Sequence, residues 1–185
     1  MKATSDMNLV LIGYRGTGKS TVSRRVAQVL GLPQISLDAE IVKRAGQSIA
    51  DLVSDRGWDY FRDLETEVLI DCAARGAVVL DCGGGVVERE ANFAPLRNSG
   101  TVFWLTATPT TVASRIADSR DRPALTQGQT FLSEVETVLA RRTPLYARLA
   151  HVKIATDQVA PNQIADRILS LWPLHGLNPG ATNAG

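Results

Sequence analysis

Apolar residues follow two rhythms along this chain. Leu9-Val10-Leu11-Ile12, Ala77-Val78-Val79-Leu80 and Thr101-Val102-Phe103-Trp104-Leu105 are short runs, almost unbroken in their apolar character. Runs of this kind suit strands of a parallel sheet buried on both faces. Residues 34–37 and 151–155 predict two further strands. Between them apolar residues return every three or four positions, the spacing of helices with one buried face. Val22, Val26, Val29 and Leu30 make one such stripe, closed by Gly31 and Pro33. Phe61, Leu64, Val68, Leu69 and Cys72 make another, downstream of Gly57, which interrupts a helix begun at Ser48-Ile49-Ala50-Asp51. Helices are also predicted over 40–45, over 88–96, from Thr108-Pro109 through Val112 and Ile116, from Phe131 through Val138 to Arg141 and Arg142 before Pro144, and over 161–171. Strands alternating with helices predict a three-layer α/β fold around a parallel sheet.

One stretch breaks both rhythms. Residues 118–130 are polar, carry Arg120 and Arg122, and show no apolar periodicity, which predicts a lid over a ligand. The pattern shows no internal repeat, so residues 1–172 are expected to form one domain. The tail over 173–185, rich in Gly, Pro, Asn and Ala, is expected to be disordered.

Composition narrows the picture further. The chain has 185 residues, 44% of them hydrophobic, and a net charge of +1. That balance suits a globular core and offers no basic field for nucleic acid. No run approaches the length of a membrane span, and residues 1–8 carry no leader pattern. Cys72 and Cys82 form no close pair, so free thiols in a reducing compartment are expected. A cytoplasmic monomer acting on small molecules, with neither nucleic-acid nor membrane partners, is the expectation.

The chemistry gathers at the ends of the predicted strands. Gly13-Tyr14-Arg15-Gly16-Thr17-Gly18-Lys19-Ser20 fits G-x-x-x-x-G-K-[ST], the phosphate-binding P-loop, and lies between a strand and a helix as that motif requires. Its glycines let backbone N–H groups turn toward phosphate oxygens. The lysine supplies a cation, and the Ser20 hydroxyl is small enough to ligate Mg²⁺. Asp38 and Glu40 follow the second strand; they suit either work on a metal or hydroxyl, or the acidic first turn of a helix. Arg62 and Glu65, three residues apart, read as a surface ion pair or as a substrate arginine with its orienting carboxylate. Asp81 ends the third strand as a Walker B aspartate does, and Gly83-Gly84-Gly85 then lets a ligand approach bare backbone.

Taken in order, the P-loop, the acidic pair, Phe61-Arg62-x-x-Glu65, the triple glycine, Arg122-Pro123 and Arg142-x-Pro-Leu-Tyr146 resemble shikimate kinase over about residues 9–171. The resemblance implies a five-stranded parallel sheet of order 2-3-1-4-5, of the nucleoside-monophosphate-kinase type. It implies transfer of the ATP γ-phosphoryl group to the 3-hydroxyl of shikimate, in aromatic amino-acid biosynthesis. By position it assigns ATP to Gly16, Thr17, Gly18, Lys19, Ser20 and Thr21, with Arg115 and Val159 beside the base and Arg122 at the transferring phosphate. Mg²⁺ falls to Ser20, Asp38 and Asp81. The substrate part, about residues 38–65, would work with Glu40, Arg62, Gly84, Gly85 and Arg142, and catalysis would rest on Lys19, Glu40 and Arg122. The family usually has aspartate where this alignment places Glu40. The rival expectations are a same-fold kinase for another hydroxy acid, such as gluconate, and a kinase-like module that binds without catalysis.

Overall fold

A computed structural model of the chain describes residues 7–116 and 131–176. Five strands, β1 (Asn8–Ile12), β2 (Gln34–Ser36), β3 (Val79–Asp81), β4 (Gly100–Thr106) and β5 (Val152–Ala155), form one sheet of order β2-β3-β1-β4-β5. Every neighbouring pair is parallel. The helices are α1 (Lys19–Leu30), α2 (Leu37–Ala45), α3 (Ile49–Ala74), α4 (Phe93–Ser99), α5 (Pro109–Ile116), α6 (Phe131–Leu149) and α7 (Pro161–Gly176).

The apolar runs behave as their composition requires. Along β1, Leu9 and Leu11 face a core shared with α1 and α7, whereas Val10 and Ile12 face the core under α2, α3, α4 and α6. β4 divides in the same way, with Phe103 and Leu105 on the first side and Val102 and Trp104 on the second. Alternate side chains of a strand point to opposite faces, so a strand covered on both sides needs apolar residues throughout. Asn8, fully buried, gives its amide to Ala73 O (2.9 Å) and accepts from Val78 N (3.2 Å), tying the start of β1 to the end of α3 and to the loop before β3. Cys72 and Cys82 are free and buried, matching the expectation from their spacing. Among the described residues no helix is long and apolar enough to cross a membrane.

Four boundaries differ from the sequence expectations. β2 ends at Ser36, and α2 begins at Leu37 rather than near Glu40, because the Ser36 hydroxyl accepts from Ala39 N (3.3 Å) as an N-cap. α6 runs through Pro144 to Leu149, since Val138, Tyr146 and Leu149 are buried on both sides of the proline and their packing outweighs one lost helical hydrogen bond. The helix expected over 88–96 is two short 3₁₀ turns, Val86–Glu88 and Glu90–Asn92, followed by α4. α7 continues to Gly176, past the point at which the tail was expected to begin. The kink at Gly57 (φ 83°, ψ 170°) falls where the sequence marked it, inside α3.

Candidate active site

The carboxyl ends of β1, β2 and β3 and the start of β4's outgoing loop open on one side of the sheet, where ligands bind in open α/β folds. The P-loop leaves β1 there. Gly13 (φ 143°), Gly16 (φ 77°) and Gly18 (φ 89°) all take conformations that side chains disfavour. At Gly13 a Cβ would lie 2.3 Å from Leu105 O, so the loop also packs against β4 with no room to spare. Thr17 donates its hydroxyl to Tyr14 O (2.7 Å), and Lys19 Nζ reaches the same carbonyl (3.0 Å). Lys19 and Ser20 open α1, whose positive end faces the loop. Ser20 and Thr21 are exposed.

Asp81 lies beside this loop, only 5% exposed. Burial pushes its carboxyl above the ordinary carboxylate range; the Lys19 charge and a hydrogen bond from the Ser20 hydroxyl oppose that shift, and the nearby Asp38 charge adds to it. Asp38 approaches from α2. Its Oδ1 would lie 2.7 Å from a Cβ at Gly83, and Glu65 Oε1 would lie 3.1 Å from the same point, so both carboxylates converge on bare backbone.

Glu40 does not join them. Residues two apart on a helix point about 200° apart, given about 3.6 residues per turn. Because α2 starts at Leu37, Asp38 faces the loop and Glu40 faces outward, where Arg75 Nη2 holds its Oε2 at 2.9 Å. Two carboxylates that would share a face on a strand take opposite faces on a helix. Of the two, Asp38 is the carboxylate that meets the glycine loop.

The residues expected to hold the acid lie together, with additions. Arg62 is 7% exposed and gives Nη1 to Glu65 Oε2 (2.5 Å). Its guanidinium lies against the Gly85 backbone, where a Cβ would fall 2.0 Å from Nη2, and sits 5.4 Å from the Trp58 ring. Arg142, on α6 and 4% exposed, comes within 5.8 Å of the Tyr14 ring. Glu88, which no motif marked, spans the two arginines: Oε2 accepts from Arg62 Nη2 (3.0 Å) and Oε1 from Arg142 Nε (3.0 Å), with Arg141 on the same oxygen. Burial raises the Glu88 carboxyl, but Arg142, Arg62 and Arg141 together bring it below its usual range. The Tyr146 hydroxyl donates to Gly84 O and fixes the glycine loop from α6. A cleft of about 510 Å³ lies beside this group, lined in part by Trp58, Arg62, Glu88 and Arg141.

On the opposite flank Arg115 donates to Gly16 O (3.2 Å) and to Thr156 Oγ1 (3.2 Å) and O (2.9 Å), joining the P-loop to the segment after β5. In that segment Asp157 accepts from Thr108 N (2.9 Å), and Val159 is exposed two residues further on. Arg15, inside the P-loop, pairs with Glu134 of α6 at 3.3 Å. Arg122 and the lid expected over 118–130 lie outside the described residues.

A phosphate loop set across the mouth of a parallel sheet from a pair of buried arginines defines a P-loop phosphotransferase for a small anionic acceptor. The family model for shikimate kinase matches residues 15–172. A shikimate kinase of Nitratidesulfovibrio vulgaris is 45% identical over 150 residues, 80% of this chain and 85% of that one. One of Rhodopirellula baltica is 38% identical over 170 residues, covering 90% of each. Among solved structures, a shikimate kinase from Acinetobacter baumannii in complex with shikimate superposes with a TM-score of 0.86 at 33% identity, over 91% of this chain and 93% of that one. The chain belongs to the shikimate kinase family.

Proposed function

We propose that the chain transfers the γ-phosphoryl group of ATP to the 3-hydroxyl of shikimate, with Asp38 orienting the attacking hydroxyl. The observation that carries this reading is the position of Asp38. Its carboxylate meets the backbone of Gly83 between the phosphate loop on one side and the Arg62–Arg142 pair on the other. An acid gripped by those arginines would present its ring hydroxyls to Asp38, and a carboxylate that accepts a hydrogen bond from the attacking hydroxyl both aims it and can take its proton. On this placement the aspartate usual for the family stands at 38, and Glu40 is no departure from the pattern.

Phosphoryl transfer asks mainly for positioning and neutralisation of charge. Lys19 would exchange its contact with Tyr14 O for phosphate oxygens. The planar forks of Arg62 and Arg142 suit a carboxylate, with Glu65 holding the first of them in place. Backbone N–H groups of Gly84 and Gly85 would complete that grip. Arg115 and Val159 would flank the adenine, and Arg122 would reach the phosphate being transferred. Mg²⁺ fits the donor set: Ser20 would hold it directly and Asp81 through water, because a buried carboxylate beside a serine hydroxyl is the arrangement a cation relieves. When bound, Mg²⁺ supplies neutralisation of the phosphate charge. Asp38 is left to the acceptor side.

The test is ADP release measured with shikimate, quinate and gluconate as acceptors. Turnover should depend on shikimate. Turnover with gluconate or quinate, and none with shikimate, would overturn the assignment.

A further inference from the structure

The two arginines assigned to the substrate's carboxylate already hold one. Glu88 places an oxygen on each, at 3.0 Å from Arg62 Nη2 and 3.0 Å from Arg142 Nε, which is how a single carboxylate bridges two guanidinium groups. Two features distinguish it from Glu65, the other carboxylate on Arg62. The side chain of Glu65 is 1% exposed on the buried face of α3, whereas that of Glu88 is 21% exposed and borders the open cleft. Its third partner, Arg141, is 63% exposed and could follow Glu88 outward without disturbing the core. The backbone under Glu88 is fixed, with its N–H on Gly85 O at 2.9 Å, so only the side chain needs to move.

We propose that Glu88 is a resident carboxylate that fills the acid grip until substrate arrives, so that acid binding is an exchange of one carboxylate for another. The inference rests on the reading of Arg62 and Arg142 as the acid-binding pair. Its consequence is quantitative. A site that is competent only when Glu88 has swung away binds with an affinity reduced by the fraction of time it is open. Occupancy by Glu88 would thus weaken the acid without touching ATP, and it would screen the arginines against stray small carboxylates.

The experiment is titration calorimetry of shikimate, and separately of ATP, with the wild type, Glu88→Gln and Glu88→Ala. Shikimate should bind about fivefold or more tightly in both variants, with ATP affinity unchanged. Glu88→Gln is nearly isosteric and covers the case in which Glu88→Ala fails to fold. Unchanged shikimate affinity would make Glu88 a bystander, and weaker affinity would make it a support for the arginines; either result overturns the exchange. Arg142→Ala separates the two readings. If shikimate affinity falls there while Glu88→Gln fails to tighten it, only the exchange is lost. If Arg142→Ala leaves shikimate affinity intact, the acid grip itself is misplaced.

Discussion

The phosphate side and the acid side of this site are shaped by different constraints, and two glycines show how. Gly13 sits at φ 143°, and a Cβ there would lie 2.3 Å from Leu105 O, so main chain alone forbids a side chain. Gly85 has φ −97°, ordinary for any residue, and what a Cβ would strike is the Arg62 guanidinium. One half of the site is cut from backbone and the other is fitted around side chains. Backbone sites are rigid and encoded in one contiguous stretch. Side-chain sites are assembled from distant elements, here α3, the glycine loop and α6, and can be retuned one residue at a time.

The largest effect should come where the halves meet. Asp38→Asn is expected to lower kcat/KM for shikimate by about a hundredfold or more, whereas Glu40→Gln should change it less than about threefold. Steady-state kinetics on the pair decides between the two carboxylates, and the reverse ranking would return the role to Glu40. Next, Gly85→Ala should fold, because the atom in its way is the far end of a side chain. Displacing Arg62 should nevertheless cost about tenfold or more in shikimate affinity, the scale of one charge-assisted hydrogen bond. ATP affinity should stay put in the same calorimetry; an equal loss for ATP would mean that the halves are not separable. The smallest effect concerns stability. Burial raises the Asp81 carboxyl, so folding favours its protonated form. That contribution is present below the ordinary carboxylate range and is lost as pH rises through the raised value. Without nucleotide or metal, Asp81→Asn should therefore raise Tm at neutral pH by a few degrees, at about 2–4 °C per kcal/mol for a chain of this size, with the gain shrinking as pH falls toward 4. A thermal melt series that shows no gain at neutral pH would mean that Lys19 and Ser20 already compensate the burial.

The sequence made the phosphate half legible for the same reason that this half is rigid. The eight residues of the P-loop carry their own geometry, and the apolar runs marked the strands of a parallel sheet, whose order followed only from the resemblance to shikimate kinase. The gathering of Arg62, Gly84, Gly85 and Arg142 in one place was also legible, although only as an ordered set of motifs. Glu88 was not. It lies on a 3₁₀ turn too short to show periodicity, and its partners sit on α3 and α6, far from it in the chain. Pro144 misled because local propensity argues for a break where buried Val138, Tyr146 and Leu149 hold the helix together. Asp38 and Glu40 read as one acidic pair because of a single boundary: apolar Leu37 prolongs the strand pattern, and the signal that ends it is Ser36, whose hydroxyl caps α2 and sends the two carboxylates to different faces.

That cap has a consequence for how such an enzyme can change. Each residue of a helix turns the next by about 100°. Adding or removing one residue between Ser36 and Asp38 would swing every side chain of α2 by that angle at once, taking the carboxylate out of the cleft and bringing a different residue into it. Point substitutions in α2 exchange one group for another at a fixed bearing, whereas a length change at this junction selects a new bearing for the entire helix. Acceptor preference in this scaffold can therefore diverge in discrete jumps, by insertion or deletion at the strand–helix joint, while the phosphate loop next to it stays the same.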